Sequence, residues 1–173
     1  MEQINKIKSI SIWIFIIPFF AVNTCLVLIT QFHGLFPNQE QIIHFTIPYF
    51  DGGASISRTA RPYPSWLVFK PAMILTSFLL VKYWLCSKDI IKIFDKNNKY
   101  IKRIVYFGIA SAIALTVHSI FLGIKFDNDF YKIFRRVIML LFIIFEIVAQ
   151  AYLIFVIYSL KEKMSEYINK KYL

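Results

Sequence analysis

The sequence predicts an all-α membrane protein with four transmembrane helices and a long structured outer loop between the first two. Three observations carry that reading. The 173 residues are 58% hydrophobic and only 17% charged, more apolar surface than a soluble domain of this length can hide. The apolar residues fall in four runs, about 10–30, 65–86, 103–123 and 133–160, each near the roughly 20 residues that a bilayer requires. The lysines sit beside these runs and form no face interleaved with stacking aromatics. The formal charge of +10 therefore points to anionic lipid and away from nucleic acid. No repeat, low-complexity segment or second domain interrupts the chain, so residues 1–173 form one membrane domain.

The first run follows a short basic start carrying Lys6 and Lys8. It is longer than a signal-peptide apolar core and no small-residue cleavage site follows, so it reads as a retained span. Pro18 removes one backbone hydrogen bond and predicts a kink. The loop from Gln31 to Ser65 begins semi-apolar, suited to the interface, and then becomes polar. Asp51-Gly52-Gly53 signals a turn. Pro62 and Pro64 close the loop, because neither favours a helix in the residue before it. Tyr63 and Trp66 then fall where an aromatic belt would lie.

Pro71 comes early in the second run, where proline does least damage. Residues 87–102 form a basic connector with Lys88, Lys92, Lys96, Lys99 and Lys102. Its Ile90, Ile91, Ile93 and Phe94 suit a short interfacial helix. In the third run Gly108, Ser111, Ala112 and Leu115 recur at helical spacing, with Ala110 and Ala114 as further small positions. Small residues permit close backbone approach in lipid, which predicts a central packing helix. A turn over 124–132 leads to the fourth run, with Asp127-Asn128-Asp129 as its cap. A calcium loop would need more ligands at another spacing. Beyond 160 the chain turns polar, and Glu166 and Lys170 have the i, i+4 spacing that supports a helix.

Lysine and arginine placement orients the chain. The N-terminus, connector and tail hold more of them than the opposite side, which carries Arg58, Arg61, Lys70, Lys125, Lys132, Arg135 and Arg136. Both termini are therefore expected in the cytoplasm, with the chain in the inner membrane. Cys25 and Cys86 lie at opposite depths in this topology, too far apart for a disulfide. Without a CxxC, that form of thiol redox chemistry is excluded.

The candidate sites are polar groups in places where lipid penalises them. Asp51, Ser55, Ser57, Arg58 and Arg61 crowd the outer loop, and Arg135 and Arg136 begin the fourth run. Turn amides, hydroxyls and arginines together suit a phosphate, so this set reads either as an anion or headgroup site or as a structured loop touching headgroups unspecifically. Within the spans, Asn23, His118, Glu146 and Gln150 form a second set, expected to meet inside the bundle. Glu146 is expected to face the third span with His118 or a water as partner. The bland alternatives are interhelical glue or contact with another membrane subunit. Histidines 33, 44 and 118 offer no converging metal ligands, and no nucleophile elbow or paired carboxylates appear. No cofactor, metal or catalytic residue is expected.

The loop residues Pro48, Ile56-Ser57, Pro62, Pro64 and Phe69 resemble an element of the DRAM-type family, the damage-regulated autophagy modulators and their relatives in GPI-anchor lipid remodelling. The likeness covers roughly the first half of the chain, and six spans are usual in that family against four here. It implies lipid handling or membrane organisation. The leading expectation is an integral membrane protein acting on or organising lipid through its outer loop. The alternatives are a non-catalytic accessory subunit of a larger membrane complex and a small proton-linked transporter using Glu146.

Overall fold

The computed structural model describes residues 2–38, 50, 55–124 and 129–164. Pro48, Asp51-Gly52-Gly53, Lys125, Asp127, Asn128, Glu166 and Lys170 lie outside these residues, as does the side chain of Ser57. There are four long helices, α1 (Glu2–Gln31), α3 (Ser65–Phe94), α4 (Ile101–Phe121) and α5 (Asp129–Ser159), with a single-turn piece α2 (Ile56–Thr59) before α3 and another, α6 (Lys161–Met164), after α5. All four long helices are long and apolar enough to cross a membrane. A 3₁₀ turn, His33–Leu35, follows α1.

Several boundaries differ from the sequence reading. The basic connector is not a separate interfacial helix, because α3 runs unbroken to Phe94 and only residues 95–100 turn the chain. Nothing between Cys86 and Phe94 breaks a helix, and Ile90 and Ile91 are buried against the other spans, which holds that stretch in line with α3. α5 starts at Asp129, four residues before the apolar run, with that aspartate in its first turn. A carboxylate there meets the positive end of the helix dipole. α1 continues through Pro18 as one helix.

Each long helix packs chiefly on its neighbour in sequence: α1 on α3, α3 on α4, and α4 on α5. α3 touches α5 only lightly. Successive helices are antiparallel. One end gathers Ile90, Ile91, Ile101, Leu160 and Met164, with Ile4 and Ile7 packed on them. Both ends of the described chain thus share a cluster with the residues that flank the 95–100 turn. The other end gathers Cys25, Ala60, Phe69 and Leu122.

α3 and α4 approach closely at Gly108. Trp84 is fully buried, and a β-carbon added to Gly108 would stand 2.3 Å from its Cγ. The indole therefore lies flat on the bare backbone of α4, the close approach that small residues permit. Ser111, Ala112, Leu115 and Ser119 continue the same buried face of α4.

Candidate functional site

The end of the bundle beside the loop between α1 and α3 is built around the C-terminus of α4, whose last carbonyls have no partner within the helix. Lys70 Nζ, reaching from α3, donates to the Ile120 carbonyl at 3.1 Å. The Tyr131 hydroxyl on α5 donates to the Phe121 carbonyl at 2.5 Å. Leu122 N–H closes on the His118 carbonyl, and Gly123 follows at φ 87°. That left-handed residue turns the chain toward α5. A β-carbon at Gly123 would stand 3.0 Å from the Arg61 carbonyl oxygen, so the loop before α3 rests directly on this turn. Lys70 also lies 5.2 Å from the Trp66 ring centre, and Tyr63 stacks obliquely on that same ring.

Into this corner come two guanidinium groups. Arg61 is half-buried, and its Nε is buried without a hydrogen-bond partner. Burial, and next the charge of Arg135, pull the Arg61 pKa below its ordinary value. Arg135 is half-buried on the second turn of α5, within electrostatic reach of both Arg61 and His118. His118 Nδ1 is likewise buried without a hydrogen-bond partner. The ion pairs among the described residues are Lys88–Asp89 and Lys132–Asp129; neither involves these arginines.

Of the outer set, the structure thus brings Arg61 and Arg135 together and adds His118. Ser55 and Arg58 are exposed on or beside α2, and Ser55 forms no side-chain cap bond. Arg136 is exposed on α5. Asp51 lies outside the described residues.

The second set divides. Glu146 does face α4, yet its partner is Ser111 and not His118: Ser111 Oγ lies 2.6 Å from Glu146 Oε2. The same hydroxyl is 2.8 Å from the Gly108 carbonyl. Gln150 Nε2 donates to Glu146 Oε1 at 3.0 Å, closing a trio one helical turn long. His118 is two turns outward of Ser111, about 10 Å along α4, which carries it to the arginine corner instead. Asn23 is on α1, which packs on α3, and its Nδ2 donates to the Phe19 carbonyl at 2.6 Å.

Lys70, Tyr131 and Gly123 are the contributors that the sequence reading passed over. Lys70 had a signal: a lysine early in one span, adjacent in an antiparallel bundle to the last turn of the next, suits a helix C-terminus. Among the described residues no three His, Cys, Asp or Glu side chains converge as metal ligands would. Compared with protein-family models, with characterised proteins and with solved structures, the chain matches none.

Proposed function

We propose that this multi-span membrane protein handles or organises lipid, holding a lipid phosphate at the outer-loop end of the bundle with both termini in the cytoplasm. One observation carries the reading. Arg61 and Arg135 come from distant parts of the chain, repel one another, and form no ion pair among the described residues. Two neighbouring guanidiniums with no carboxylate paired to them among the described residues are stabilised by a bound anion, and a phosphate offers oxygens that match them. His118, with its Nδ1 buried and unpartnered, lies at the same corner. The likeness of the loop to DRAM-type proteins supports lipid handling as well.

The test is the phospholipid that co-purifies. Arg61→Gln with Arg135→Gln should lower the anionic phospholipid carried by detergent-purified protein, while Arg58→Gln, at an exposed position, should leave it at the wild-type level. Charge-assisted bonds contribute about 1.5–3 kcal/mol each, enough to read by mass spectrometry. Equal lipid content in both variants would overturn the proposal.

A second reading, an accessory subunit of a membrane complex, is favoured by Gln150. It is exposed at mid-span on α5, although lipid penalises a polar side chain there. Exposed Leu140, Ile143, Ile147, Gln150 and Ile154 recur at alternating steps of three and four, the pattern of a helix–helix seam. Cysteines at Ile147 and Ile154 that cross-link to another polypeptide in native membranes would support the subunit reading. Their failure to do so, with lipid loss in the double arginine variant, would leave lipid handling.

A further inference from the structure

We infer that the groove between the last turns of α3 and the first half of α4 is a binding site for an anionic phospholipid. Its headgroup phosphate would sit among the connector lysines and one acyl chain would lie along α4. The site is at the opposite end of the bundle from Arg61 and Arg135 and does not rest on the reading proposed for them.

The groove has a volume of about 990 Å³. Its mouth is cationic. Lys88 and Lys92 stand one turn apart on α3, Lys96 follows in the turn, and Lys99 and Lys102 line the same groove from the turn and from α4. Asp89 pairs with Lys88 at 3.8 Å, which leaves the other four lysines in excess. Lysine ammonium groups at headgroup depth attract anionic lipid, each adding to the affinity.

The floor is of another kind. Ile101, Val105, Ile109 and Ile113 line it at successive turns of α4. That apolar stripe extends about 18 Å, comparable with the ~15 Å of one hydrocarbon leaflet. Charge at one end and a leaflet-long apolar track beneath it are matched together by an amphiphile. A free phosphate would leave the track bare, and a nucleic acid or acidic peptide would have to place polar backbone against it. Charge complementarity thus selects the headgroup, and the track selects the chain.

The experiment is native mass spectrometry of the purified full chain in neutral detergent with phosphatidylglycerol, phosphatidylcholine or glycerol phosphate added. Wild-type protein should retain phosphatidylglycerol in preference to phosphatidylcholine. Lys92→Gln, Lys96→Gln and Lys99→Gln combined should weaken that retention about tenfold or more. Ile113→Trp keeps every charge but fills the track; the residue is 58% exposed, so the core stays packed. It should weaken retention as well. Retention unchanged in Ile113→Trp would mean surface attraction without a groove site. Competition by glycerol phosphate as strong as by the lipid would mean a headgroup site without a chain. Either result overturns the inference, and circular dichroism confirms that each variant compared is folded.

Discussion

The two ends of this bundle carry similar cations put to opposite physical uses. At the end beside the loop that precedes α3, Lys70 is built into the fold: its ammonium closes a carbonyl of the last α4 turn, and its approach lies over Trp66. Arg61 is half-buried against the Gly123 turn. At the connector end, Lys92, Lys96, Lys99 and Lys102 are exposed around a groove. A cation in the first setting stabilises the protein, and those in the second stand exposed, Lys99 also lying 5.1 Å from the Tyr100 ring centre. Counting charges on each side of a membrane therefore orients a chain but does not say what each charge does. Lys70 and Lys132 count against the orientation, yet one caps a helix and the other pairs with Asp129 at 2.8 Å.

The largest expected effect lies between the two ends and sets the scale for both. Gly108→Ala would drive a methyl group into the buried Trp84 ring, and overpacking of that kind costs about 1–3 kcal/mol or more. Its unfolding midpoint in a mild-to-harsh detergent titration should fall furthest of all. Gly123→Ala should come next. An L side chain at φ 87° costs about 1–2 kcal/mol, and the added carbon would also press on the Arg61 carbonyl. Lys70→Met keeps the stem but removes the helix-terminal cation, for a loss of about 1 kcal/mol. Lys96→Gln should be neutral within about 0.5 kcal/mol in the same titration. Should Lys96→Gln destabilise the protein as much as Lys70→Met, the contrast between built-in and free cations fails. The smallest expected signal in stability is a topological one: cysteines replacing Ser57 and Asn97 leave folding intact. Only the first should react with impermeant maleimide on intact cells, and labelling at Asn97 would invert the orientation.

The spans were legible because lipid imposes a simple requirement, a run of apolar residues of sufficient length. Their ends were less so. α3 passes through Lys88 and Lys92 as a helix because Ile90 and Ile91 have core to pack against, and hydropathy sees the lysines but not the neighbours. Glu146 and Gln150 meet because i, i+4 spacing fixes it within one helix. Ser111 was harder to select over His118. Both lie on one side of α4, and the choice depends on how α4 and α5 slide past one another, which no single-helix pattern encodes. The Arg61–Arg135 approach depends in the same way on the turn at Gly123, a tertiary fact.

The order in which the helices pack has a bearing on how the protein is made. Since α1 rests on α3, α3 on α4 and α4 on α5, each span emerging during synthesis finds its principal partner already in the membrane. Assembly can advance as a series of helical hairpins, with little entropy lost to closing long loops. Among the contacts that break this sequence are those of Ile4 and Ile7 on α1 with the cluster to which Leu160 and Met164 belong. That cluster can be completed only once the fourth span is in place, so its closure around α1 is a natural late step of folding.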